Sequence, residues 1–352
     1  MKLFSRIVSI LLLPLLIIGS INYFIDPDYT LRKNYIQPLA SALANGKLVS
    51  GPVNINGRLL KKEWIRQLKD NPEVLILGSS RTLGISQASF SGKTFFNASV
   101  TNCTWQDMYA FTDFMDEKEE EFPRQVIICC DQWLLGNSFS EKRWLYNRAN
   151  FVDLIKKSSQ LNPNHFPANW ELQKEWIKEL FSVRYLIRSI RTRGKTESFE
   201  IQDTIIPGKM MLLTDGSRVL PSRITNADKN EVEKKAKDYF YSSLDEHFNQ
   251  LDTVQCQLFE NLISYLQNQK CQVTLFVPPY HPITWQLLHQ SEKYHGIFKV
   301  DAYLQHLSKS KNLKIIGNTD PSKINLSSSD FYDGVHLKPA VLSRLITTEQ
   351  TK

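Results

Sequence analysis

Short apolar runs separated by helical stretches recur along this chain, and they restrict its fold more than any other feature. Val74 to Leu77, Thr94 to Phe96, Val126 to Cys130, Gln272 to Val277 and Leu313 to Ile316 are of strand length, and most lack polar alternation. Strands of that kind are buried on both faces. Between them, Met108, Phe111, Thr112 and Met115 are spaced for one helix face, and Val254, Leu258, Leu262 and Leu266 for another. Thr104-Trp105-Gln106-Asp107 has capping-box spacing ahead of the first of these helices. Gly296 to Leu307 reads as a further helix, with Phe298, Tyr303 and Leu307 toward the core. Strand and helix in alternation predict an α/β fold with a parallel sheet covered by helices.

The alternation is interrupted. Residues 137–250 lose the pattern, are rich in Trp, Arg and Lys, and carry turn signals at Pro207-Gly208 and Asp215-Gly216. They are expected to form a cap or insertion between a first part of the domain, 71–136, and a second part, 251–352. Residues 26–70 read as a stalk or a wrap on the domain surface, holding Pro38, Gly46, Gly51, Pro52 and Gly57, followed by a short amphipathic helix with Leu60, Trp64 and Leu68 on one face.

Residues 1–25 decide the expected location. Ile7 to Ile25 is almost continuously apolar after Lys2 and Arg6, with only Ser9, Ser20 and Asn22 polar. It approaches the roughly 20 residues that cross a bilayer, and the basic leader puts the amino terminus in the cytoplasm. A cleaved signal peptide is the competing reading, but bulky Ile21-Asn22-Tyr23-Phe24 stands where small residues would mark cleavage. Either reading sends the main domain outside the cytoplasm, periplasmic or at the cell surface, and the first keeps a lipid bilayer around residues 7–25.

The net charge of +7 suits anionic surroundings such as phospholipid head groups or acidic glycans. No nucleic-acid recognition motif accompanies it, so nucleic acid is not an expected partner. The five cysteines show no zinc-ligand spacing, and neither metal nor cofactor is expected. Adjacent Cys129 and Cys130 read as core side chains, and a Cys256–Cys271 disulfide is conceivable in an oxidising compartment.

Three polar elements fall at carboxyl ends of the expected strands, where open parallel sheets bind ligands. They are Gly78-Ser79-Ser80-Arg81, Asn97 to Asn102, and Asp333-Gly334-Val335-His336. A serine needs an imidazole to take its proton, and the imidazole benefits from an oriented carboxylate. Asp333 and His336 lie one turn apart, and Ser80 completes the set if the sheet brings both loops to one edge. Ser79 is the rival nucleophile, with local hydrogen bonding in the turn as its other role. Arg81 reads either as a holder of an anionic substrate group or as a surface cap. His281, beyond the strand ending at Val277, reads either as a site residue or as part of a turn. Asp131 reads as a structural hydrogen-bonding group. Arg184, Arg188 and Arg191 share a helix face that is either solvated or set against anionic lipid or glycan.

The motifs resemble those of the SGNH/GDSL hydrolase superfamily. Val74-Leu75-Ile76-Leu77-Gly78-Ser79-Ser80-Arg81 is similar to its first block, which implies Ser80 as nucleophile, and Asp333-Gly334-Val335-His336 to its last, which implies His336 as base and Asp333 as orienting partner. Phe96 to Asn102 resembles the second block, with Asn102 where glycine is usual. Cys129-Cys130-Asp131-Gln132-Trp133 stands where the family has Gly-x-Asn-Asp, so the oxyanion asparagine is missing. That departure resembles the membrane-anchored branch of the D-alanyl transfer proteins of lipoteichoic acid synthesis, with alginate acetylation proteins similar in role. The resemblance implies a flavodoxin-like three-layer α/β/α domain. It implies a serine esterase or O-acyltransferase working through an acyl-Ser80 intermediate on an acylated cell-envelope glycan or polymer. Asn102 would assist the oxyanion, and a membrane-bound O-acyltransferase would be the partner. The other reading is a catalytically silent glycan-binding or scaffold protein of the same fold.

Overall fold

In the computed structural model, described for residues 2–51, 55–118, 121–137, 140–193, 198–242 and 248–350, the chain is a mixed α/β protein. The side chains of residues 2–11, 349 and 350 lie outside the described ones. Nine strands are described: β1 (Leu48–Ser50), β2 (Val74–Leu77), β3 (Phe95–Asn97), β4 (Gln125–Cys129), β5 (Glu200–Gln202), β6 (Met211–Leu212), β7 (Arg218–Val219), β8 (Gln272–Val277) and β9 (Lys314–Gly317). The helices are α1 (Lys2–Ile25), α2 (Ile36–Ala44), α3 (Gly57–Gln67), α4 (Trp105–Asp116), α5 (Arg148–Ser158), α6 (Trp170–Leu180), α7 (Val183–Thr192), α8 (Ser222–Thr225), α9 (Lys229–Ser242), α10 (Thr253–Asn268), α11 (Pro282–Leu288), α12 (His295–Lys311) and α13 (Pro339–Gln350).

The five strands expected from sequence form one parallel sheet in the order β3-β2-β4-β8-β9. The chain starts at β2, moves out to β3, then crosses back to β4, so the order reverses between β2 and β4. Loops leaving those two strands part company and open a crevice there. Alternation along β2 feeds both faces. Leu75 and Leu77 pack with Leu60 and Trp64 of α3, Met108 of α4 and Leu262 of α10. Val74 and Ile76 pack with Phe90, Val232 of α9, and Leu342 and Ile346 of α13. Thr104 caps α4 through the expected reciprocal bonds with Asp107. Asp107 also takes both oxygens to the buried Arg58 guanidinium, at 2.7 and 2.8 Å.

Both irregular stretches pack on the rest of the chain. The stretch 26–57 wraps against the domain and does not stand off as a stalk, because α2 packs on α3 and β1 joins a second sheet. The stretch 137–250 is an insertion divided among several elements. Its α5 packs on α4 and α10, its α6 and α7 pack on α1, and its β5, β6 and β7 join β1 in an antiparallel sheet of order β5-β1-β6-β7. Cys129 and Cys130 are buried as expected, but Cys256 and Cys271 are free thiols and form no bridge.

Among the described residues no helix is long and apolar enough to cross a membrane. The expected span begins at Ile7, so part of it lies outside the described side chains. Where α1 is described, Leu12, Leu13, Leu15, Leu16 and Ile17 are exposed. Its last turn is bound to the protein. Buried Asn22 donates to the carbonyls of Leu180 (2.9 Å) and Ser182 (3.1 Å). Buried Asp26 accepts from the N–H groups of Thr30, Leu31 and Arg32 and from the Tyr185 hydroxyl at 2.7 Å.

Candidate active site

Gly78 ends β2 at a point of close approach. A Cβ there would collide with Thr82 Oγ1 and stand 2.6 Å from Cys129 Cβ, so only glycine lets the turn lie against β4. Ser79 then points inward. It is fully buried, its Oγ accepts from Arg81 N–H at 3.2 Å, and its carbonyl accepts from Thr82. Ser80 points outward and is half-buried. Asn97, at the end of β3, pins the segment that follows by donating to the carbonyls of Thr82 (2.8 Å) and Ile85 (2.9 Å).

The loop after β9 is closed by a bridge between Phe331 and Leu337 and by Tyr332 N–H donating to the His336 carbonyl. Asp333 Oδ1 accepts from the N–H groups of Val335 (2.9 Å) and His336 (2.8 Å), which fixes the carboxylate. Asp333 Oδ2 lies 2.8 Å from His336 Nδ1, and His336 Nε2 lies 2.9 Å from Ser80 Oγ. The structure thus brings Ser80, His336 and Asp333 into one line of hydrogen bonds. Tyr332 stacks on the His336 ring with the planes 5° apart and holds its orientation. Burial opposes ionisation of Asp333, yet the His336 charge and hydrogen bond, with the two N–H donors, hold its carboxyl down at about 2. An ionised Asp333 against Nδ1 leaves Nε2 as the ring's proton acceptor toward the serine.

Of the other expected site residues, Arg81 borders the Ser80 cavity and the rest fall elsewhere. Arg81 is buried beside the serine and is not a surface cap. Its Nη1 donates to Gln132 Oε1 at 2.8 Å, its Nε lies 3.6 Å from Asp131 Oδ1, and its guanidinium stacks over Trp133 and Tyr280. Gln132 continues the network to the Pro278 carbonyl and Thr319. Burial raises the Asp131 carboxyl, against the pull of Arg81 and the Ser79 hydrogen bond. His281 is fully buried and caps α11, its Nδ1 accepting from Ile283 N–H at 3.1 Å. Its own N–H donates to the Gly334 carbonyl, so it holds the Asp333 loop from behind and does not face substrate. Burial pushes its imidazole down to about 4. Asn102 is not brought to Ser80. It sits exposed in a left-handed turn (φ 53°), with its carbonyl spent on Arg58.

Ser80 and His336 open on a cavity of about 20 Å³, walled also by Arg81, Leu83, Gly84, Arg218, Leu220, Tyr332 and Leu342. That is room for about one water molecule. Arg218 and Tyr332 are the residues that sequence reasoning missed. Arg218 comes from β7, whose N–H donates to the Leu83 carbonyl at 2.8 Å and ties the small sheet to the serine turn. No protein-family model matches the chain, and no curated protein matches it.

Proposed function

We propose that this protein is a serine esterase or O-acyltransferase that carries an acyl group on Ser80, built on a flavodoxin-like three-layer α/β/α domain of SGNH/GDSL type. The observation that carries the reading is the 2.9 Å contact between His336 Nε2 and Ser80 Oγ, joining residues far apart in sequence beside an oriented carboxylate. Ser80 Oγ attacks the acyl carbonyl while Nε2 takes its proton. The tetrahedral intermediate collapses, and His336 returns the proton to the departing alkoxide. The acceptor, a polymer hydroxyl or water, then loses its proton to Nε2 as it attacks the acyl carbonyl, and His336 returns that proton to Ser80 Oγ as the acyl–Ser80 bond breaks. The N–H of Ser80 serves as backbone donor to the oxyanion, since that of Arg81 is engaged by Ser79.

The proposed setting is the outer face of a membrane. The exposed leucines of α1 support it, together with exposed Val183, Ile187 and Ile190 on α7, where Arg184 and Arg191 stand ready for lipid phosphates. An acylated envelope polymer is the proposed substrate, and a membrane-bound O-acyltransferase the proposed donor partner. Labelling with a fluorophosphonate tests the chemistry: one adduct per chain is expected on Ser80, lost in Ser80→Ala and in His336→Ala. Equal labelling of Ser80→Ala would exclude this nucleophile.

A further inference from the structure

Beside the Ser80 cavity lies a second one of about 50 Å³, and Leu83 and Arg218 form part of both walls. Four cations line it: Arg58, Lys61, Arg143 and Arg218. Two of them are matched. Arg58 is held by Asp107, and Arg143 by Glu141. The other two are not matched by an ion pair among the described residues. Lys61 is buried, with its ammonium directed to the carbonyls of Asn97 and Gly216 and its charge lying over Trp64 and Phe96. Asp215 is the carboxylate that acts on it, but Asp215 already accepts from Gln87 N–H, Ser217 N–H and Ser217 Oγ. Arg218 has neither a carboxylate nor a side-chain hydrogen bond among the described residues, and its Nε is sealed from solvent. Burial lowers both groups from their ordinary values, Lys61 to about 7, and the Arg218 charge adds to the lowering of Lys61.

Arg218 as a whole is half-buried, and a guanidinium partly withdrawn from water with no counter-charge costs stability unless something else supplies the charge. Gly216 keeps the arrangement tight. Its φ of 84° belongs to glycine, and it brings its carbonyl to Lys61 in the turn directly before β7. We infer that Arg218, beside Lys61, binds an anionic group of the substrate next to Ser80, so that the acylated polymer carries phosphate or carboxylate groups. The inference rests on the esterase or acyltransferase reading for what happens at Ser80, but the anion site stands on the cations alone. An anion there meets a planar, five-donor fork that suits either oxyanion. Its neighbouring hydroxyl ester then falls within reach of the serine.

The test uses the full chain in detergent at constant ionic strength. Binding of inorganic phosphate and of glucuronate is measured by calorimetry for the unaltered protein, Arg218→Gln and Arg218→Lys. The expected result is one site for at least one of the two anions, weakened at least tenfold by Arg218→Gln and partly restored by Arg218→Lys. Phosphate preferred over glucuronate assigns a phosphate-bearing polymer, and the reverse a uronate-bearing one. Equal affinity in the unaltered protein and Arg218→Gln overturns the inference, as does binding of neither anion. Should Arg218→Gln not fold, the unaltered protein still decides: the preferred anion should slow fluorophosphonate labelling of Ser80 severalfold where chloride does not, and absence of protection overturns the inference. Calorimetry needs no turnover, so an unreactive Ser80 with Arg218-dependent anion binding would sink the catalytic reading and leave the anion site standing.

Discussion

Ser80 sits between two arginines that the fold treats in opposite ways. Beside the serine, Arg81 has Gln132, Asp131, Trp133 and Tyr280 around it, and Gln132 passes the network on to Pro278 and Thr319. Arg218 lines the same cavity as Arg81 but has no counter-charge beside it among the described residues. A buried charge held beside a carboxylate, an amide and two aromatic rings is part of the scaffold. One that is left unsatisfied beside an opening is available to a ligand. The floor of the site fixes positions, and the roof selects what enters.

Four changes would break or sharpen that contrast. Asp333→Asn should do most, because the imidazole loses the partner that sets its tautomer. Turnover of a small acetyl ester should fall by about 10⁴ with little change in KM, measured by steady-state kinetics. Arg81→Met should cost about 3–5 kcal/mol in urea unfolding, since it strands Asp131 in the interior. Arg218→Met in anion-free buffer should cost nothing or stabilise, and an equal loss for both would erase the distinction between floor and roof. Gly78→Ala should cost about 1–3 kcal/mol by overpacking Thr82 and Cys129, read from the same unfolding curves.

The smallest effect concerns pH. His281 is held neutral, with its imidazole at about 4 when folded against about 6.5 when unfolded. Its contribution is whole above pH 6.5 and is lost as pH falls toward 4, because the unfolded chain takes up a proton that the folded one refuses. Thermal melts across that window should show a slope that His281→Asn flattens.

The floor was far more legible in the sequence than the roof. Val74 to Leu77 running into Gly78-Ser79-Ser80 is a local signal, and so is Asp333-x-x-His336. Each motif is contained in a few consecutive residues, and the parallel sheet follows from apolar runs that survive as β2, β4 and β8 nearly at their expected bounds. The roles of Arg81 and His281 were half-visible. Their positions were clear, but whether they faced substrate depended on Gln132 and Gly334, which are distant in sequence. Arg218 left no trace. It sits on a two-residue strand, too short for any period, and its sheet is completed by β1 from the far end of the chain. Strands of two or three residues are set by long-range pairing, which patterning does not report. Tyr332 was hidden for a different reason, since an aromatic next to Asp333 reads as core until its ring is seen against His336.

The central claim is that the Ser80 hydroxyl forms the acyl-enzyme, and acid-quenched mass spectrometry tests it most directly. After brief exposure to an activated acetyl ester, the peptide containing Ser80 should carry one acetyl group, with fragmentation placing it on Ser80 and none detected in Ser80→Ala. An acetyl group found instead on Ser79, or one that persists in Ser80→Ala, would contradict the account.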